Sequence, residues 1–313
     1  MQLIRHLSDL PYDQLAAGSV VTIGSYDGLH PGHRELLDKV IDEASNRGVP
    51  SIVMSFEPTP KEFFSATAPP ARLMRFREKF DALAEYGVDI FYCPRFSEAM
   101  RGISADAFIR RVLVHGLNAR HIVIGDDFRF ARRREGTMQE LVRAGAALEY
   151  TVEKIASVMV EGIRVSSTAI RDALAAGEVR RTTALLGRPY RMSGRVIQGR
   201  RVGRSLGYAT ANVDLRRRQS AVAGIYAVRV HGLPDGPADG VASVGTRPTF
   251  DLTRPLLEVH LFDFDRDIYG EYIHVDFIEH LRDEEKFESV DDLVAQMKID
   301  EENARSTLAA RPS

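Results

Sequence analysis

The 313-residue sequence predicts two domains of different class: an α/β domain with a mostly parallel sheet over residues 1–186, then an antiparallel β-barrel or sandwich with a C-terminal helix over residues 187–313. Three observations carry this expectation. The length exceeds what one ordinary core organises and suits two domains of about 150 residues each. Between Ser19 and about Val152, short β-rich runs alternate with amphipathic helical segments, the pattern of a parallel sheet covered on both faces. After Leu186 the chain is punctuated by Gly187, Arg188 and Pro189, and helical periodicity gives way to short β-like runs.

In order, residues 19–24 read as a strand and 35–47 as a helix burying Leu36, Leu37, Val40, Ile41 and Ala44, stopped at Gly48. Residues 51–56 form a second strand, 76–86 a helix, 88–93 a strand, 104–115 a helix capped by Ser104, and 121–125 another strand. Thr137 and Glu140 make a capping box for the next helix. Beyond the break, residues 191–197, 224–230, 240–244, 256–262 and 272–278 are β-like. A final helix is capped by Ser289 and buries Val290, Leu293, Val294, Met297, Ala304 and Leu308, packing on the outside of the sheet structure. The basic clusters 132–134 and 216–218 read as solvated loops.

Composition excludes several classes. Apolar residues make up 44% and charged residues 27%, ordinary for a folded globular chain. A net charge of -2 argues against a long polyanion, so nucleic acid is not an expected partner. The single Cys93, a small core residue at a strand end, excludes an internal disulfide and a multi-cysteine metal site. The chain does not open on a basic stretch followed by an apolar run, and no segment reaches the roughly 18 apolar residues of a membrane span. A cytoplasmic protein is expected, with no membrane association and no obligate protein partner.

The densest chemical signal is Gly24, Ser25, Tyr26, Asp27, Gly28, Leu29, His30, Pro31, Gly32 and His33, between the first strand and the first helix. Ligands of parallel α/β sheets collect at strand carboxyl ends, and a helix N-terminus offers free N–H groups to phosphate. The glycines let backbone approach a bulky anion, and His30 and His33 can donate to one phosphate. Histidines three apart also suit zinc, although no cysteine or further histidine clusters nearby. Ser166, Ser167 and Thr168 offer hydroxyls and N–H groups at a helix start, with Arg171 one turn in; a plain N-cap explains one of those hydroxyls.

The string of residues 24–33 resembles the signature of the nucleotidylyltransferase superfamily in the variant of prokaryotic bifunctional riboflavin kinase/FMN adenylyltransferases, also called FAD synthetases. Residues 55–60 (Ser-Phe-Glu-Pro-Thr-Pro), 125–131 (Gly-Asp-Asp-Phe-Arg-Phe-Ala) and 165–171 (Val-Ser-Ser-Thr-Ala-Ile-Arg) are similar to further motifs of that family. The resemblance implies a Rossmann-like N-terminal domain in which the phosphate of FMN attacks the α-phosphorus of ATP, leaving FAD and pyrophosphate. It implies ATP binding by Gly24, Ser25, Asp27, Gly28, Gly32, Ser166, Ser167 and Thr168, charge neutralisation by His30, His33 and Arg171, and flavin contacts from Phe56, Pro58, Asp127, Phe128 and Arg129.

The second half has no Walker A loop and no protein-kinase motifs. Residues 199–212 combine glycine turns, arginines and two polar side chains, Thr210 and Asn212, spaced to share one face of an extended segment. Read alone this is a basic hairpin. It resembles the nucleotide loop of riboflavin kinases, and further matches follow in order at 224–228, 243–250, 257–270 and 281–305. The resemblance implies that Glu258 accepts the ribityl hydroxyl proton of riboflavin, that Gly199, Gly203, Arg204 and Gly207 shape the ATP loop, and that Thr210 and Asn212 hold Mg2+ with ATP. His260, on the face of Glu258, is left structural.

Departures from the family pattern are local. Ser25 and Tyr26 stand where the family usually has asparagine and phenylalanine, Ala131 where it has glycine, and Ala209 where proline precedes Thr-Ala-Asn. The competing expectations are an adenylyltransferase for another phosphorylated acceptor with a non-catalytic flavin-binding barrel, and a flavin-binding or regulatory protein with drifted motifs.

Overall fold

A computed structural model describes residues 1–65, 67–199, 208–248 and 253–311. By contacts these form two units, 1–70 with 74–165 and 71–73 with 166–311.

The first unit carries a six-stranded sheet of β1 (Gln2–Ile4), β2 (Ser19–Ile23), β3 (Ser51–Met54), β4 (Ile90–Tyr92), β5 (Ala119–Gly125) and β6 (Thr151–Ile155), in the order β1-β4-β3-β2-β5-β6. Every pairing is parallel. β2 and β3 are buried along their whole length, as expected of strands covered on both faces. The covering helices are α1 (Pro31–Arg47), α2 (Pro60–Phe64), α3 (Phe76–Glu85), α4 (Glu98–Gly102), α5 (Ala105–Ala107) and α6 (Met138–Leu148). α1 starts four residues before the expected position because Pro31 occupies its first turn, where a missing N–H costs nothing, and it ends at Gly48 with φ +64°. The Thr137–Glu140 capping box forms, with Thr137 N donating to Glu140 Oε2 at 2.7 Å. The helix expected over 104–115 keeps its Ser104 cap but widens into a π-helix at Phe108–Val114. A two-stranded ribbon, β7 (Met159–Val160) and β8 (Ile163–Arg164), closes the unit.

From β2 the chain proceeds to β3 on one side and later returns to β5 on the other, so the strand order switches between β2 and β5. The turns leaving these two strands flank the position where open α/β sheets bind ligands.

The second unit begins with α7 (Ser167–Ala175) and α8 (Val179–Leu186). The contacts divide the chain at Val165/Ser166, earlier than the expected break after Leu186, because α8 packs on the barrel strands β9 (Tyr190–Ile197) and β14 (Tyr272–Arg282). Between them come β10 (Thr210–Asp214), β11 (Gly224–His231), β12 (Ala238–Pro248) and β13 (Thr253–Leu261). These strands form a closed antiparallel barrel in the order β10-β13-β12-β11-β14-β9, which resolves the barrel-or-sandwich expectation.

The last helix, α9 (Val290–Ala309), is capped by Ser289 and contacts β11, β12 and β14. Its packing corrects one expectation and adds a buried residue that the pattern did not mark. Val290 is exposed, and the buried position one helical turn before Ala304 is taken by Asp300. Asp300 accepts from Arg282 Nη2 at 2.8 Å and Nε at 2.9 Å, and from Gln296 Nε2 at 2.9 Å. Of the basic clusters, residues 132–134 are exposed as expected, but Arg217 is buried, its guanidinium donating to the carbonyls of Arg72 and Leu73. A backbone carbonyl satisfies a buried guanidinium as a solvated loop would not.

Candidate functional sites

In the first unit the turn leaving β2 is held from three sides. Gly24 N–H donates to Met54 O at 3.0 Å, Met74 N–H donates to Asp27 Oδ1 at 2.8 Å, and the Lys79 ammonium donates to Ser25 O at 2.5 Å. Gly28 has φ +95°, a conformation that favours glycine. At Gly24 a Cβ would lie 3.0 Å from the Tyr26 ring, so the close packing of that ring needs the glycine. Tyr26 is fully buried, and its hydroxyl shares a 2.6 Å hydrogen bond with Thr22 Oγ1. Burial raises the Tyr26 pKa far above its ordinary value, so the phenol stays neutral.

His30 is the N-cap residue of α1 and His33 lies in its first turn. Their rings stack at 3.7 Å with a 16° interplanar angle, and Tyr26 packs on His33 at 5.0 Å. Burial lowers the His30 pKa to about 4, partly opposed by Asp27. Burial also lowers the His33 pKa well below its ordinary value, assisted by the charges of His30 and Lys79. Both rings are neutral near pH 7, and both Nδ1 atoms are buried without a hydrogen-bond partner. Two desolvated rings lying face to face are suited to donating to one anion at the free N-terminus of α1. Stacking does not converge their nitrogens as zinc requires, and among the described residues no group of three His, Cys, Asp or Glu could hold a metal.

Across the switch point, the turn after β5 places Asp127, Phe128 and Arg129. Asp127 and Arg129 are exposed. Arg164 Nη2 bridges Asp127 Oδ2 at 3.0 Å and Asp126 Oδ1 at 3.1 Å. The Ser157 hydroxyl, with help from Arg164, holds the Asp126 carboxyl below its usual range. Phe128 stacks on Phe130 at 5.7 Å and packs, like Phe56, against the same buried cluster. Phe56 meets Phe96 edge-on at 5.4 Å, just before the cis Glu57–Pro58 peptide. Phe56 and Phe128 thus pack on one buried apolar cluster, while Pro58 is half-buried.

Ser166, Ser167, Thr168 and Arg171 belong to the second unit. Ser166 is the N-cap of α7, its hydroxyl accepting from Ala169 N at 3.1 Å, so the bland reading of that hydroxyl is realised. Arg171 donates from Nε to Ala71 O at 2.6 Å and from Nη1 to Ser167 O at 3.0 Å.

On the barrel, Thr210 pairs with His260 and Asn212 with Glu258 in the antiparallel register of β10 and β13, so all four share one face. Glu258 is flanked across the ladder by Asn212 and Ser243, at the spacing where cross-strand side chains interact. Asn212 is buried, and a Cβ on Gly199 would lie 2.3 Å from its amide, so a glycine is required there. His260 Nδ1 donates to Ala209 O at 2.9 Å, tying down the residue before Thr210 without proline. A cavity of about 480 Å³ opens beside Thr210, lined also by Val196, Ala211, Val259, Ile268 and Tyr269. The expected loop residues Gly203, Arg204 and Gly207 lie outside the described residues.

Two contributors were not foreseen. Arg164 was unmarked by any motif. Lys79 carries a signal: it falls between Phe76 and Leu83 at helical spacing, a core position that a lysine seldom takes.

A helix-terminal anion site at the switch point of a parallel sheet, followed by a barrel presenting a carboxylate beside neutral oxygen donors, defines a two-part nucleotide-dependent transferase. Comparison with known proteins sharpens this class. Residues 13–169 match the family described as FAD synthetase, and residues 186–308 the family described as riboflavin kinase. A bifunctional riboflavin kinase/FMN adenylyltransferase of Escherichia coli (strain K12) is 44% identical over 308 residues, covering 97% of both chains. One from Haemophilus influenzae is 40% identical over 306 residues, covering 98% of this chain and 99% of that one. A solved structure named as a macrolide-efflux protein from Streptococcus pneumoniae is 33% identical, with a TM-score of 0.80 over 97% of this chain and 98% of that one. The chain belongs to the bifunctional riboflavin kinase/FMN adenylyltransferase family.

Proposed function

We propose that this chain makes FAD in two ATP-dependent steps, phosphorylating riboflavin to FMN in the half after Gly187 and adenylylating FMN in the half up to Leu186. The observation that carries the reading is the order of two site features, the neutral His30–His33 pair at the start of α1 and the Glu258–Asn212 pairing on the barrel, within a chain that matches both families in that order.

In the first step Glu258 orients the attacking ribityl hydroxyl and accepts its proton, while the family resemblance assigns Gly199, Gly203, Arg204 and Gly207 to the ATP loop. Thr210 and Asn212 offer neutral oxygen donors of the kind a hard cation accepts, and Mg2+ bound there with ATP would neutralise phosphate charge. In the second step no covalent intermediate is needed. His30 and His33 donate hydrogen bonds to the phosphate undergoing substitution, and alignment supplies most of the acceleration. The family resemblance assigns Ser166, Ser167, Thr168 and Arg171 to the ATP phosphates of this reaction, and Phe56, Pro58, Phe128, Asp127 and Arg129 to its flavin substrate. The packing of Phe56 and Phe128 on one apolar cluster supports the latter. No described helix is long and apolar enough to cross a membrane, and we take the cytoplasm expected from the sequence as the place of the work.

Purified protein incubated with riboflavin, ATP and Mg2+, followed by chromatography of the flavins, tests the reading. FMN and FAD both form. His30→Ala with His33→Ala stops at FMN, and Glu258→Ala leaves riboflavin unconsumed yet converts supplied FMN. FMN formation by Glu258→Ala would remove Glu258 as the base, and absence of any flavin product would leave a binding protein.

A further inference from the structure

Lys79 is the only lysine among the buried described residues, 4% exposed on the sheet-facing side of α3. Taking an ammonium out of water costs several kcal/mol, and its neighbours on that side of the helix, Phe76 and Leu83, are apolar. A leucine or methionine would fill such a position at no such cost. What the lysine reaches is the nucleotide turn: its ammonium donates to Ser25 O, a carbonyl also approached by Ser55 Oγ at 3.4 Å. Five residues earlier, Met74 N–H holds Asp27 Oδ1. The segment of residues 74–79 therefore grips the turn on both sides of Tyr26, whose ring carries His33.

We infer that Lys79 is a positioning residue for adenylyl transfer, fixing the Ser25 carbonyl away from the phosphate face of the turn and placing a positive charge behind the His30–His33 pair. A charge there also favours the neutral form of His33. Among the described residues, Asp27, Tyr26 and Arg34 also face the pair, and of these Arg34 shares the sign of Lys79. The inference rests on the proposed adenylyl-transfer role of that pair.

The experiment compares Lys79→Met and Lys79→Arg in the full chain, reading FMN-to-FAD kinetics against ATP concentration and pH, with riboflavin phosphorylation as internal control. Lys79→Met lowers kcat/KM for ATP in FAD formation roughly tenfold or more, as expected for loss of a charge-assisted hydrogen bond. It also moves the acid limb of the profile to higher pH, leaving riboflavin phosphorylation unchanged. Lys79→Arg, keeping the charge, leaves the limb where it is. Wild-type kinetics and an unmoved limb in a folded Lys79→Met protein overturn the inference. If Lys79→Met loses its N-terminal melting transition, Lys79→Arg decides: a limb shifted to higher pH overturns it. The His30→Ala, His33→Ala protein separates the two ideas, since FAD formation by that variant sinks the underlying reading, whereas its loss alongside an indifferent Lys79→Met sinks only the role of Lys79.

Discussion

The Thr22–Tyr26 pair gives a quantitative test of how this nucleotide turn is held. Both side chains are fully buried and share one 2.6 Å hydrogen bond. Tyr26→Phe removes the bond, worth about 1 kcal/mol net, and strands the Thr22 hydroxyl, costing about 1 kcal/mol more. The expected loss is therefore about 2 kcal/mol, although phenylalanine is the residue the family usually carries there. Thr22→Val strands the tyrosine hydroxyl and costs a similar amount. The double variant strands neither group, so its loss falls well short of the sum, with a coupling of about 1–2 kcal/mol. Urea unfolding followed by circular dichroism, with FAD formation marking the N-terminal transition, measures all four corners of the cycle. Because the ring against His33 remains, FAD formation by folded Tyr26→Phe stays near wild type. An additive double variant, or a Tyr26→Phe protein as stable as wild type, refutes the reasoning.

Three further outcomes follow from the structure. Ala131 sits at φ +62°, ψ -173°, a region open essentially to glycine, so Ala131→Gly stabilises the N-terminal unit by about 1 kcal/mol in urea titrations. His30 titrates at about 4 in the folded chain against 6.5 unfolded, so the unfolded state binds more protons between those values. Through His30 stability therefore falls by roughly 3 kcal/mol as pH drops from 6.5 to 4, with buried His33 adding to the fall, and the drop in melting temperature is shallower in His30→Gln. Asp300→Ala removes the carboxylate partner of Arg282, whose side chain is only 17% exposed, costing about 3 kcal/mol and loosening α9, seen as lost helical signal at reduced melting temperature.

Much of the N-terminal site was legible because its residue types are unusual where they fall. Three glycines and two histidines at a strand-to-helix junction have few structural reasons to be there. The hydroxyl partner of Tyr26 was not legible, since Thr22 reads as an ordinary strand residue. Arg217 was misread because sequence shows three arginines but not the carbonyls that one of them finds far along the chain. The β class of the second half followed from its turns, yet the pairing of β9 with β14 has no local signal, and closure of the barrel depends on it. Asp300 escaped notice because a carboxylate at a helical core position becomes favourable only once Arg282 is brought opposite.

Closure of the barrel also sets a schedule for making the protein. The flank of β9 and the flank of β11 that receive β14 stay open until residues 272–282 have left the ribosome. The parallel sheet, by contrast, has all its strands by Ile155 and can complete its pairings earlier in translation. A chain cut short before Tyr272 would carry two adhesive strand flanks, and translation that stalls there hands the cell an aggregation hazard rather than a half-active enzyme.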